Sequence, residues 1–422
     1  MANTYVINRA STAVILAGGM GTRLRSVISE LPKPMAPIRN RPFLAYLLDY
    51  LRSYGIQEVV LSIGYLGEKI QEYFGTAYRG IQIRYVVEKE PLGTGGAVRK
   101  AAESLAPDQP FWLLNGDSSF EVDLHLLYHC FESRQADIVL ALRRMYNQSR
   151  YGLVDVDGEQ RVQAFLEKQP FEEGLINGGI YLLRPNVLNQ LQLPEKCSFE
   201  RDVLEAHVNN LAIYGQEQAA YFIDIGIPED YQRAQDELPN RQLPELNTLF
   251  LDRDGVINRR IPNSYVTNPD DLEFLPKVKE ALALLAPLFK HILVVTNQQG
   301  VGKGIMEEKQ LEAIHQKMVA EITAAGGRID KVYACTELAS KTNNCRKPNP
   351  TMGEQAKRDF PSIEMERALM VGDSLSDIAF GKRLGMKTAL IPTKAEEAAD
   401  YVNTTVDFRF DSLFALANFL KE

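Results

Sequence analysis

With 422 residues, 45% of them hydrophobic and 24% charged, the chain is long enough for two globular domains of about 200 residues each. Its formal charge of -8 excludes a nucleic-acid protein that works through a basic surface, so anionic ligands have to be held by local positive charge and metal ions. Cys130, Cys197, Cys335 and Cys345 are too few and too scattered for a disulfide framework, and no apolar run approaches the ~18 residues of a membrane span. The apolar start ends in glycines and reads as a strand, not a signal peptide, which makes the cytoplasm the expected compartment.

Short apolar runs alternate with amphipathic stretches along the chain. Thr12–Leu16, Glu58–Ile63, Ile81–Val87 and Phe111–Leu114 read as buried strands. Residues 42–54, 67–74 and 94–105 have helical spacing between them. A hairpin is expected across Asp157-Gly158, a strand over 178–183 and a helix over 228–237. Residues 236–245, with two prolines and no apolar period, read as a linker. The rhythm then restarts: strands at 248–251, 291–296, 331–335, 367–371 and 387–391, helices at 276–289, 307–325 and 374–384, and a last apolar helix over 408–420. The pattern predicts an α/β protein of two domains, 1–240 and 246–422, each a mostly parallel, doubly wound (Rossmann-like) sheet.

In the first half, Leu16-Ala17-Gly18-Gly19-Met20-Gly21-Thr22-Arg23 follows a strand directly. Its glycines let backbone N–H groups approach phosphate oxygens, and Arg23 can neutralise a departing pyrophosphate. Lys33 sits between two prolines that stiffen its backbone. The spacing is not that of the dinucleotide fingerprint. Asp117 ends a strand in Leu-Asn-Gly-Asp, at the sheet edge where such folds bind ligands.

This half resembles the nucleotidyltransferases that join a nucleoside triphosphate to a sugar 1-phosphate. The resemblance rests on the glycine-rich turn, Pro32-Lys-Pro-Met35, Pro91-Leu-Gly-Thr-Gly-Gly-Ala97, Leu114-Asn-Gly-Asp117, Phe165-Leu-Glu-Lys168, Asn177-Gly-Gly-Ile-Tyr181 and Asp224-Ile-Gly-Ile-Pro-Glu-Asp-Tyr231. It implies that Leu16, Ala17, Gly18, Gly19, Gly21, Thr22, Arg23, Glu88 and Gly93 bind the nucleotide. Glu167, Lys168, Asn177 and Gly178 then bind the sugar phosphate, and Asp117 and Asp224 bind Mg²⁺. Arg23 and Lys33 stabilise the leaving group. Glu88, just before the base loop, offers a carboxylate that can accept from both N1–H and the amine of guanine. The motifs look closer to the mannose 1-phosphate guanylyltransferase-like branch than to the thymidylyl branch.

In the second half, Asp252 and Asp254 end a strand two residues apart and so share a face. One can attack phosphorus and the other can move a proton, and carboxylates that close imply a cation. Asp252-Arg-Asp-Gly-Val, Val295-Thr-Asn-Gln298, Arg346-Lys-Pro348 and Gly372-Asp-Ser-Leu-Ser-Asp377 resemble the four motifs of the haloacid dehalogenase (HAD) superfamily, in order. The resemblance implies Asp252 as nucleophile, Asp254 as acid/base, Thr296 and Asn297 on the phosphoryl oxygens, and Lys347 neutralising them. Mg²⁺ falls to Asp252, the Asp254 carbonyl and Asp373, while Asp377 supports that site or holds Lys347. Finer features look like the D-glycero-D-manno-heptose 1,7-bisphosphate phosphatases, with histidinol-phosphate phosphatases in the same branch. Relatives of this kind often carry a zinc loop; here Cys335-Thr-Glu337 and Asn343-Asn-Cys345 leave too few ligands. No structural zinc is therefore expected, and the loop is expected to be held by packing and hydrogen bonds. Arg346 is placed to clamp a distal phosphate in a bidentate way.

His125, His129, His207, His291 and His315 match no ligand or catalytic pattern, and Trp112 reads as core. Joined, the resemblances imply a bifunctional enzyme that removes the 7-phosphate of the heptose bisphosphate and then activates the 1-phosphate with GTP, using Mg²⁺ in both domains. Its partners are then GTP and sugar phosphates, with no nucleic acid and no membrane, and a homo-oligomer stays open. The alternatives are another sugar such as mannose 1-phosphate, or one idle regulatory domain.

Overall fold

The protein is described by a computed structural model over residues 10–19, 30–166, 169–240, 246–261, 264–393 and 406–421. The chain separates into two compact units, divided after residue 242. Among the described residues no helix is long and apolar enough to cross a membrane.

The first unit is built on four parallel strands in the order Ile81–Val87, Glu58–Ile63, Thr12–Leu16, Phe111–Asn115. Their side chains alternate between two cores. Ala13, Ile15, Val59, Leu61, Trp112 and Leu114 face one, and Val14, Val60, Phe111 and Leu113 face the other. Both faces are buried, which is why these strands read as continuous apolar runs. Trp112 is fully buried and donates its indole N–H to the Ala10 carbonyl at 3.2 Å. Beyond Phe111–Asn115 the sheet continues antiparallel through Phe171–Leu183, which also pairs with Ile138–Gln148. The hairpin of Leu153–Val156 and Val162–Leu166 adds to this side.

A separate ribbon positions the site. Phe222–Asp224 pairs antiparallel with Ser118–Phe120, with Asp224 opposite Ser118. That register sets Asp224 beside Asp117, and the Ile225 N–H donates to the Asp117 carbonyl at 3.1 Å.

The second unit is a six-stranded sheet in which every pairing is parallel, ordered Lys331–Cys335, His291–Asn297, Thr248–Leu251, Ala368–Gly372, Lys387–Leu390, Phe408–Arg409. The same alternation holds: Leu249, Leu251, Ile292 and Val294 enter one core, Phe250, Leu293 and Val295 the other.

Three expectations need correction. The helix expected to end at 237 runs Pro228–Asn240, into the stretch read as linker. Pro239 falls in its last turn, where little of the ladder remains to be broken. The stretch 408–420 is not one helix: Phe408–Arg409 joins the sheet edge and the helix is Leu413–Lys421. Finally, Cys335 and Cys345 are bonded to each other, with Cα atoms 5.5 Å apart, so the loop before Lys347 is closed covalently as well as by packing and hydrogen bonds. Cys335 ends the strand Lys331–Cys335 and Cys345 lies in the loop that follows, so the path of that loop had to be known before the bond was visible, because spacing alone gives no proximity.

The bond makes a countable prediction. Thiol titration of the unreduced, denatured protein should find two free thiols, Cys130 and Cys197. Finding four would show that the loop is open.

Candidate functional sites

Each site sits at the C-terminal ends of parallel strands, where the chain leaves the sheet and its side chains converge. In the first unit Lys33 bridges two carboxylates. Its Nζ lies 2.7 Å from Asp117 Oδ2 and 3.4 Å from Asp224 Oδ1. The Lys33 side chain is 11% exposed, so these partners replace most of its water. Asp224 also accepts from the Gly226 N–H at 2.8 Å and has Arg150 3.9 Å away. Burial and then the Asp117 charge raise the Asp224 pKa above its ordinary value. The lysine is not enough to settle both carboxylates.

Lys33, Asp117 and Gly226 line a cleft of about 300 Å³ together with Leu16, Gly19, Asn115, Thr94 and Glu200 among others. Glu88 lies against the turn at Gly18. Its carboxylate accepts from Ser62 Oγ at 3.0 Å and from the Leu92 N–H at 3.2 Å. A Cβ on Gly18 would stand 2.5 Å from Glu88 Oε1, so a side chain there would push this carboxylate off its present hydrogen bonds. Gly93 starts the helix Gly93–Ala102 next to it.

The sugar-side residues are placed differently. Asn177 spends its amide locally, donating to Tyr181 Oη at 2.7 Å and accepting from the Gly179 N–H at 3.0 Å. The Phe120 ring occupies the space that a side chain at Gly178 would need. Both therefore shape the irregular strand Phe171–Leu183 and, through Phe120, the Asp117 ribbon. Gly21, Thr22, Arg23, Glu167 and Lys168 lie outside the described residues.

In the second unit Lys347 again ties carboxylates together. Its Nζ is 2.8 Å from Asp252 Oδ1, 2.6 Å from Asp377 Oδ1 and 2.6 Å from the Val295 carbonyl. Carboxylate oxygens of Asp252, Asp373 and Asp377 lie within 4.8 Å of one another. Burial pushes Asp252 up to about 7 against the pull of Lys347, with Asp377, Asp373 and Asp254 adding to the rise. Burial opposes the Lys347 charge as well, yet Asp252 and Asp377 outweigh it and hold that pKa above its ordinary value. Asp377 thus holds Lys347; its other oxygen accepts from the Ser374 N–H at 3.0 Å and caps the helix Leu375–Arg383. Asp373 accepts from Thr393 Oγ1 at 2.6 Å.

The Asp254 carboxylate stays out of this cluster. It accepts from Asn258 Nδ2 at 2.9 Å, Gln298 Nε2 at 2.7 Å and the Arg253 guanidinium. Burial alone would raise its pKa; the Arg253 charge and these hydrogen bonds reverse that and hold it below the usual carboxylate value. Thr296 stands at the strand end with its hydroxyl accepting from Gln298 at 2.8 Å. Asn297 acts on the protein itself. Its amide accepts from the Lys347 N–H at 2.9 Å and donates to the Lys347 carbonyl at 3.2 Å, so it fixes the lysine's backbone. Arg346 Nη1 is buried and carries no hydrogen bond to the described residues. Near it, the two sulfurs left from the zinc-loop pattern are bonded to each other, and Glu337 is paired with Lys341 and with the Cys345 N–H.

Sequence reasoning missed Gln298, Asn258, Thr393, Ser62 and Glu200. Gln298 lies within the second HAD motif and Asn258 just after the first, and only contacts reveal their role. Glu200 lies in a π-helical turn, Phe199–Glu205, whose spacing matches neither period.

Both clusters suit a hard divalent cation. Each gathers carboxylate oxygens that one lysine leaves undercompensated, and oxygen donors are what Mg²⁺ prefers. The balance at Lys347 is testable. Lys347→Met leaves Asp252 and Asp377 buried without their cation, which should cost about 3–5 kcal/mol in urea unfolding with EDTA present. An unchanged midpoint would contradict this charge balance.

Both halves of the chain are similar to known proteins. Residues 12–241 match the nucleotidyl transferase family model and residues 344–415 the HAD-hydrolase-like model. The chain is 50% identical over 226 residues to a D-glycero-alpha-D-manno-heptose 1-phosphate guanylyltransferase of Aneurinibacillus thermoaerophilus, covering 54% of this chain and 97% of the relative. It is 46% identical over 219 residues to an enzyme of the same name from Campylobacter jejuni, covering 52% and 96%. A solved D,D-heptose 1,7-bisphosphate phosphatase from B. bronchiseptica, complexed with magnesium and phosphate, is 28% identical, covering 41% of this chain and 96% of that one with a TM-score of 0.38. With over half its length matched, the chain belongs to the nucleotidyl transferase family and carries a HAD-like hydrolase domain behind it.

Proposed function

We propose that the second unit removes the 7-phosphate of D-glycero-D-manno-heptose 1,7-bisphosphate. The first unit then transfers GMP from GTP to the remaining 1-phosphate, giving GDP-D-glycero-α-D-manno-heptose and pyrophosphate. The observation that carries this reading is the presence, in one chain, of two lysine-tied carboxylate clusters at parallel strand ends. The 50% identity to a guanylyltransferase named for heptose 1-phosphate supports the sugar and the base.

In the transfer, the sugar phosphate oxygen attacks the α-phosphorus in line and the bond to the β-phosphate breaks. Repulsion between two anions is the main obstacle. Asp117 and Asp224 would hold Mg²⁺, which supplies charge screening when bound. Lys33, with Arg23, stabilises the departing pyrophosphate. Gly18 and Gly19 bring backbone to the triphosphate, Glu88 reads guanine, and Glu167 and Lys168 orient the sugar phosphate.

In the hydrolysis, Asp252 attacks phosphorus and forms an aspartyl-phosphate while the sugar alkoxide takes a proton from Asp254. Water then attacks, Asp254 takes its proton, and the Asp252–phosphorus bond breaks. Asp252, Asp373 and the Asp254 carbonyl would hold Mg²⁺, which neutralises phosphoryl charge when bound. Thr296 and Lys347 serve the phosphoryl oxygens. The Arg346 nitrogen that has no hydrogen-bond partner among the described residues is suited to the substrate's 1-phosphate.

The decisive assay offers heptose 1,7-bisphosphate, GTP and Mg²⁺ to the whole chain and reads GDP-heptose by mass spectrometry. Asp252→Asn should stop its formation from the bisphosphate but not from heptose 1-phosphate. Asp117→Asn should cut transfer by about 10²-fold or more while phosphate release continues. GDP-heptose formed by Asp252→Asn from the bisphosphate would refute the assignment of the second unit.

Glu88→Gln tests the base. Losing the charged acceptor should lower the preference for GTP over ATP about tenfold or more, in keeping with the ~1.5–3 kcal/mol of a hydrogen bond to a charged group. An unchanged ratio of kcat/KM values would remove Glu88 from base recognition.

A further inference from the structure

One buried titratable group beside the hydrolytic cluster takes no part in the chemistry above. Arg253, between the two motif aspartates, is 0% exposed. Its Nη2 donates to Asp254 at 3.0 and 2.9 Å and its Nε at 3.3 Å. Its remaining nitrogen, Nη1, lies 3.1 Å from His315 Nε2. A guanidinium only donates, so Nε2 must accept, and the imidazole is neutral with its proton on Nδ1. Burial and then the Arg253 charge bring His315 down to about 4, in line with that form. His315 comes from the helix Glu308–Ala324, far along the chain, whose buried face packs into the same core as the Asp252 strand. It thus ties the short catalytic loop to a rigid element.

We infer that His315 is a positioning residue for phosphate release: by accepting from Arg253 it fixes the guanidinium that holds the Asp254 carboxylate in place for water activation. The step served is the second one. Water's oxygen bonds to phosphorus, its proton passes to Asp254, and the bond from phosphorus to Asp252 breaks, freeing inorganic phosphate. A buried guanidinium without its outer acceptor would tilt to find another, and the Asp254 carboxylate would follow it. Gln298 and Asn258 hold that carboxylate from other directions, so the loss is expected to be partial.

This role rests on the phosphatase reading, and the test separates the two. Phosphate release from heptose 1,7-bisphosphate is measured for the whole chain carrying His315→Leu, which keeps the volume and removes the acceptor, and His315→Gln, whose amide oxygen can still accept. The expected result is a fall in kcat of about tenfold or more for Leu, part of the ~10²–10⁴ that a positioned proton-transfer group supplies. KM should stay within about twofold, and Gln should recover most of the rate. GTP-dependent pyrophosphate release by the first unit serves as the control for intact protein. If the Leu variant melts early, His315→Asn, too short to reach the guanidinium, takes its place. A Leu or Asn variant as fast as the unaltered chain overturns the inference alone, as does an equal loss in Gln, or KM rising in step with the fall in kcat. No phosphate release by the unaltered chain would overturn the phosphatase reading, and this role with it.

Discussion

Like charges crowded into a protein interior are the constraint on which both halves of this molecule are built. Two unit charges 4 Å apart repel by about 4 kcal/mol at an effective dielectric of 20. Asp252, Asp373 and Asp377 bring oxygens within 4.8 Å of one another, and Asp224 stands beside Asp117 against the same lysine. One lysine per cluster lowers that repulsion without cancelling it. The remaining negative potential makes each cleft receptive to a divalent ion, and through the ion to a phosphate.

The scaffold makes this crowding unavoidable. A parallel sheet delivers strand after strand to one edge, and residues leaving the sheet there face one another. In the second unit Asp252, Thr296 and Asp373 stand at the C-terminal ends of three adjacent strands of that kind. In the first, a separate two-stranded ribbon carries Asp224 back to Asp117. Each bridging lysine precedes a proline, Lys33-Pro34 and Lys347-Pro348. The following ring narrows the backbone choices of each lysine, and at Lys33 the chain takes a short 3-10 turn, Lys33–Met35. Asn297 adds a second restraint by gripping the main chain of Lys347 from both sides. The rigid groups serve opposite needs: Asp252 is held where ionisation is costly, and Asp254 where it is favoured.

Much of this was legible in the sequence because both sheets are buried on two faces. Runs such as Leu249-Phe-Leu and Ala13-Val-Ile alternate between cores and so appear as unbroken apolar stretches. What stayed hidden has physical causes. Ile138–Gln148 and the first half of Phe171–Leu183 pair with each other at the sheet's antiparallel side, where polar residues blur the period. The helix through Pro239 was cut short because a proline costs less in a last turn than in a helix interior. Among site residues, aspartates and lysines were legible by type and motif. Gln298, Asn258 and His315 were not, since a supporting hydrogen bond leaves no mark on spacing. Asn177 and Asn297 were expected at substrates, yet their amides are engaged by neighbouring protein groups, and only coordinates could tell the two uses apart.

The central claim is that both carboxylate clusters are cation sites. Crystals of the full chain soaked with Mn²⁺ and GTP, and examined by anomalous scattering at the manganese edge, test it directly. The account predicts one peak between Asp117 and Asp224 and another between Asp252 and Asp373. Peaks elsewhere, with none at either carboxylate cluster, would contradict it.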